Sequence, residues 1–100
     1  MSVLMVRSKV PADAAGQVEA AARRMFGAIE QARLESIRYA SCRTADGSTY
    51  IALLEVQDGV DNPLPGLPAF ADFQNSLKNW LAEPPVAERL EVVGSYRLFD

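Results

Sequence analysis

The chemistry open to this chain is narrowed first by what it lacks. It has no histidine, and Cys42 is its one cysteine. The side chain most used as general base, zinc ligand and proximal haem ligand is therefore absent. A lone cysteine excludes an internal disulfide and a cysteine-cluster metal site. Any reaction must rest on carboxylates, arginines, tyrosines, amides, the thiol or the reactivity of a bound molecule, so no cofactor and no metal is expected. Trp80 and Phe73 offer flat apolar faces, and the indole adds an N–H donor. Tyr39 and Tyr96 can lend a phenol, and Asn79 an amide. Arg97 can bind a phenolate or carboxylate, and Glu55 can serve as a base. Each has a plainer reading. The aromatic residues pack a core, Glu55 and Arg97 form ion pairs at a surface or interface, and Cys42 is a structural thiol unless its setting is electropositive.

The elements that position these residues are organised around Leu34–Gln57. Two β-rich runs, Ser36–Arg43 and Ser48–Val56, flank Ala45-Asp46-Gly47. Asp-Gly between such runs predicts a hairpin, because Gly takes φ > 0 without a Cβ clash. A first strand is expected over Ser2–Val10 and a last over Arg89–Phe99, where Leu90, Val92, Tyr96 and Leu98 alternate with Glu91, Val93, Arg97 and Phe99.

Between the first strand and the hairpin, Val18, Ala21, Ala22, Met25, Ile29 and Ala32 recur at helical spacing. They predict a helix over Ala14–Arg33, with Asp13 as its N-cap and the Glu19–Arg23 pair on a solvated face. Asp58–Pro68 carries three prolines and two glycines and reads as a long loop. A second helix then starts at Pro68, puts Phe70, Phe73, Leu77 and Trp80 or Leu81 on one stripe, and stops at Pro84-Pro85.

This order is β-α-β-β-α-β in a single domain spanning residues 1–100. Right-handed crossovers make it an α+β, ferredoxin-like fold: a four-stranded antiparallel sheet with both helices on one face. The first and third strands are apolar on both sides and belong in the middle; the more polar second strand belongs at an edge. The helices cover one sheet face. Bulky apolar residues fall on the other as well, so a second copy packed face to face about a two-fold axis is expected: a homodimer through the open sheet face.

A net charge of −3 and a pI near 4.9 disfavour nucleic acid, which needs a clustered basic surface. No apolar run approaches a membrane span, and Met1–Arg7 lacks the pattern of a signal peptide, so a cytoplasmic protein is the default expectation.

The order, the length and the open sheet face resemble the dimeric α+β barrel superfamily. Glu35-Ser-Ile-Arg-Tyr39 after the first helix, Tyr50-Ile-Ala-Leu-Leu-Glu-Val56 and Phe70-Ala-Asp-Phe73 are similar to segments of its antibiotic-biosynthesis-monooxygenase family. The chain departs from that family where Leu34-Glu35 stands in place of Pro-Gly, and where Gly66-Leu67-Pro68 stands in place of a helix-opening histidine. The resemblance implies a cavity between the sheet and the second helix of each protomer. In quinone-forming members an aromatic substrate sits there and reacts with oxygen without metal or flavin, assisted by Asn, Trp and Arg side chains. Asn75, Asn79, Trp80 and Arg97 are the corresponding residue types here, without a matching spacing. The haem-degrading branch is not expected, for want of histidine. Two readings of function stand side by side: a small dimeric monooxygenase for an aromatic or polyketide-like molecule, and a non-catalytic dimer binding a small molecule or a protein. A ferredoxin-like regulatory subunit of a larger assembly is a third.

Overall fold

The structure is a computed structural model and describes residues 2–98. The chain alternates strand and helix as its periodicities dictate: β1 (Ser2–Lys9), α1 (Ala15–Ala32), β2 (Ile37–Arg43), β3 (Thr49–Val56), α2 (Pro68–Lys78) and β4 (Val86–Glu91). One-turn 3-10 helices, Ala12–Ala14 and Leu64–Gly66, lead into the two α-helices. The sheet is antiparallel in the order β2-β3-β1-β4, with the two doubly apolar strands in the middle. This is the ferredoxin-like β-α-β-β-α-β arrangement expected from the sequence.

The hairpin owes its turn to one carboxylate. Asp46 Oδ1 accepts from the Thr44 hydroxyl at 2.6 Å and from the Ser48 and Thr49 N–H groups at 2.9 and 3.1 Å. Oδ2 accepts from the Thr49 hydroxyl at 3.0 Å. Gly47 then turns the chain at φ 76°, a conformation Gly adopts without penalty. The Thr44 hydroxyl, followed by the Ser48 N–H and the Thr49 groups, holds the Asp46 carboxyl well below the usual carboxylate range. A folded-state pKa below the unfolded value of about 3.9 means stability that is complete above that value and lost as pH falls through the folded pKa. Asp46→Ala is therefore expected to lower the urea midpoint near neutral pH. Its deficit against the wild type should shrink in strong acid, where both proteins lack the carboxylate; a pH-independent deficit would contradict this account.

Three local expectations are corrected. Asp13 does not cap α1: the helix starts from Ala14 without a side-chain cap, because Asp13 is taken up in the 3-10 turn that Ala14 N–H closes on Pro11 O. α2 ends at Lys78, ahead of Pro84-Pro85. Trp80 and Leu81 fold back in a turn, their N–H groups donating to Leu77 O at 2.9 and 3.1 Å. The last strand is Val86–Glu91 instead of Arg89–Phe99. Its position follows from pairing: Val86 stands opposite Arg7 and Glu91 opposite Ser2 in the described ladder with β1. Tyr96 and Arg97 consequently lie in an irregular segment, with Arg97 at φ 61°, and Phe99 lies outside the described residues.

Most of the buried side chains sit between the helices and the sheet; Val3, Thr49 and Glu55 are buried on the opposite sheet face. Val10, Val18 and Tyr50 form a cluster against which Leu77, Trp80 and Leu81 pack, while Met25 and Leu64 are fully enclosed. No helix among the described residues is long and apolar enough to cross a membrane.

Candidate ligand cleft

Side chains alternate across a pleated sheet, so register decides what faces the helices. Leu4, Leu54 and Tyr39 stand abreast across β1, β3 and β2; next come Val6, Ala52 and Ser41; then Ser8, Tyr50 and Arg43. These three rows form the floor beneath α1 and α2. The helices do not close down on it. Between them lies an open cleft of about 1270 Å³, with Phe26, Ile29, Phe70, Phe73 and Leu77 in its walls and Leu34 and Ile37 at one end. Small residues keep it open: a Cβ added at Gly27 would meet nothing within 4 Å, and Ala22 and Ala52 are among the lining residues. Phe26 and Tyr39 meet as tilted rings with centroids 5.0 Å apart, and burial pushes the Tyr39 phenol up, holding it neutral.

The opposite end is polar. Glu19 reaches down from the first turns of α1 to the Ser8–Tyr50–Arg43 row. Its Oε2 accepts from the Tyr50 hydroxyl at 2.8 Å and from Arg43 at 2.5 Å, while Oε1 lies 3.5 Å from Arg23. The Tyr50 bond first, and then Arg43, hold the Glu19 carboxyl below its ordinary value, so it stays ionised. Desolvation, and then the Glu19 carboxylate, raise the Tyr50 phenol, so it stays a donor. Asn62, Gln74 and Lys78 are further polar lining residues of the cleft; the Asn62 side-chain oxygen accepts from Leu64 N–H at 3.0 Å.

Of the candidate site residues from the sequence, Phe73 and Tyr39 are brought together on this cleft. Trp80 stands just behind the lining, half-buried on the Val10–Val18–Tyr50 cluster beside Leu77 and Leu81, which do line it. Asn79 is exposed at the end of α2. Tyr96 is 83% exposed and Arg97 stacks over its ring, away from the cleft. Glu55 is buried, but it points to the opposite sheet face with Val3, and its Oε2 has no hydrogen-bond partner among the described residues. Among the described residues no group of three or more His, Cys, Asp or Glu could hold a metal ion.

Sequence reasoning missed Glu19, Arg43, Tyr50 and Ser8. Glu19 was expected on a solvated face with Arg23; its side chain is only 24% exposed, because α1 crosses the sheet with that edge toward β3. The signal for the strand residues was present. A turn over 45–48 pairs Thr44 with Thr49, and counting back one step sets Arg43 opposite Tyr50 on one face.

No protein-family model matches the chain, and no curated protein matches it in sequence. Solved structures do match in three dimensions. A Nitrosomonas europaea protein provisionally assigned as an antibiotic biosynthesis monooxygenase superposes with a TM-score of 0.79 at 16% identity, over 94% of this chain and all of that one. A second antibiotic biosynthesis monooxygenase superposes at 0.70 and 12%, over 94% of this chain and 100% of its own. SnoaB, a cofactor-independent oxygenase from Streptomyces nogalater, superposes at 0.70 and 14%, over 96% of both chains. This chain therefore has the antibiotic-biosynthesis-monooxygenase fold.

Proposed function

We propose that this chain works as a homodimer that takes a planar aromatic or polyketide-like molecule into the cleft of each protomer and oxidises it with molecular oxygen, without a cofactor. The observation that carries this reading is the cleft itself. It exceeds the few hundred to ~1,000 Å³ common for ligand sites and is mostly apolar, with aromatic walls and a few grouped polar residues. That SnoaB, a cofactor-independent oxygenase, shares the fold supports the reaction type. In such a reaction a ring CH₂ becomes C=O. One oxygen atom enters the product and the other leaves as water, so the substrate supplies the electrons and no metal or flavin is needed.

The dimer rests on the sheet face turned away from the helices. Met5, Ile51, Leu53 and Leu90 are half-buried there, and Val86 is exposed. Glu55 Oε2 adds a second argument, since a buried oxygen without a donor is costly and a facing protomer can bring one. A non-catalytic binding protein is the alternative reading; it is favoured by the placement of Asn79, Trp80 and Arg97 off the lining.

Calorimetric titration with 2-naphthol, together with oxygen uptake in the presence of an anthrone, separates the readings. Micromolar binding with oxygen consumption proportional to enzyme is expected. Binding without consumption selects the non-catalytic protein, and absence of both refutes the cleft as a ligand site.

A further inference from the structure

The two ends of the cleft carry opposite electrostatic characters. At the Ser8–Tyr50–Arg43 end, Glu19 is matched by two arginines, Arg43 and Arg23, and Lys78 lines the cleft next to Leu77, which packs on the same cluster. The local balance is cationic. At the far end stand Leu34, Ile37, Tyr39 and Phe26, with Glu30 the charged residue on that side. Glu30 lies eleven residues along α1 from Glu19, roughly 16 Å at 1.5 Å per residue. A carboxylate is thus repelled from one end and attracted to the other.

Arg43 is built to receive it. A guanidinium has five N–H donors in a rigid fork. Glu19 holds one terminal nitrogen and is itself held by the Tyr50 hydroxyl, which tethers the group at this end of the cleft; Arg43 is nevertheless half-exposed on the cleft. Its remaining donors can grip a carboxylate in bidentate fashion.

Building on the cleft as a ligand site, we propose that its ligand is an amphipathic aromatic carboxylate, with its ring on Phe26, Tyr39 and Phe73 and its carboxylate on Arg43. Glu19 and Tyr50 are positioning residues for that guanidinium. The pairing lies at the mouth, where water screens part of the Coulomb energy, so the charge selects and orients the ligand while ring burial supplies most of the affinity.

The test compares anthraquinone-2-carboxylate, long enough to reach from Arg43 toward Tyr39, with its neutral counterpart 2-(hydroxymethyl)anthraquinone by calorimetry. The wild type is expected to bind the acid about tenfold more tightly, as one charge-assisted contact of about 1.4 kcal/mol provides. That preference should fade as salt is raised toward ~1 M, where the screening length falls to about 3 Å. Arg43→Gln is expected to abolish the preference and Arg43→Lys to keep part of it. If the acid binds no better than the alcohol, or if the preference survives in Arg43→Gln, the carboxylate assignment is overturned while the cleft stands. If neither probe nor 2-naphthol binds, the cleft reading falls and this proposal with it. If Arg43→Gln folds poorly, Arg43→Lys, which keeps the charge but loses the fork, assigns the contact by its partial preference, and the salt series in the wild type tests the ionic character; an undiminished preference in Arg43→Lys overturns the bidentate role of Arg43.

Discussion

Leu64→Ala is expected to destabilise the protein by about 3 kcal/mol, the largest loss from any single substitution in the connection between β3 and α2. Leu64 is wholly buried, and it is the one residue from 57 to 67 that is. Its neighbours in that stretch are rich in proline, glycine and acid, so they contribute little apolar burial. The chain is held to the body by this side chain, by the Asn62 cap on its N–H at 3.0 Å, and by the turn that Leu67 N–H closes on Leu64 O at 2.9 Å. The same turn delivers Pro68 to the first position of α2. Losing the leucine therefore loosens the start of α2 as well as leaving a void. The site borders the cleft, so the void opens outward and the cost falls in the middle of the ~2–5 kcal/mol range for such truncations. A domain of this size shifts by about 4–8 °C per kcal/mol, so the melting temperature should drop by roughly 12–24 °C. Asn62→Ala, which removes only the cap, should cost about 1 kcal/mol. A melting temperature within a few degrees of the wild type for Leu64→Ala would show that the loop is not anchored in this way.

Leu53→Arg is expected to turn the proposed homodimer into a monomer. Leu53 is at the centre of β3, between Met5 and Ala40 on the sheet face away from the helices. A two-fold axis presents each leucine twice, so every gain or loss at the interface is doubled. Fully burying an exposed leucine contributes about 1.5–3 kcal/mol; Leu53 is already half-buried, so the dimer gains about half of that per chain, roughly 1.5–3 kcal/mol per dimer. Each 1.4 kcal/mol is tenfold in affinity, so losing this burial alone weakens association by about one to two decades. Two facing guanidinium groups add repulsion and desolvation to that. Sedimentation at micromolar concentration should give twice 10.9 kDa for the wild type and 10.9 kDa for Leu53→Arg, with the circular dichroism of the fold retained. A wild type that sediments as one chain would remove the dimer.

The architecture was legible because each element announces itself locally. Asp46-Gly47 between two β-rich runs permits little besides a hairpin, since the aspartate supplies acceptors for the N–H groups of the turn and the glycine accepts its positive φ. Val18, Ala21 and Met25 recur at the helical period and are the residues of α1 that are buried. Strands apolar on both sides had to be central, and β1 and β3 are. Where the reading failed, the controlling interaction was non-local. Alternation continues past Glu91 in the sequence, but a strand needs a paired neighbour as well as a pattern, and the described β1–β4 ladder ends at the Ser2–Glu91 pair. This is why Tyr96 and Arg97 left the sheet.

The cleft divides in the same way. The alignment of β1 with β3 is set by long-range pairing, but within the hairpin the shared floor is a matter of parity and turn length, so the Leu54–Tyr39, Ala52–Ser41 and Tyr50–Arg43 pairs follow from the chain itself once the turn is placed. That a space remains above them does not. It depends on the crossing of two helices over the sheet, and on Gly27, Ala22 and Ala52 being too small to fill what that crossing leaves. The same crossing moves Glu19 from a solvated helix face onto Tyr50 and Arg43, and leaves Trp80 behind the wall instead of in it. Periodicity assigns a residue to a side of its own element; only the packing of one element on another decides whether that side meets a neighbour, a cavity or water.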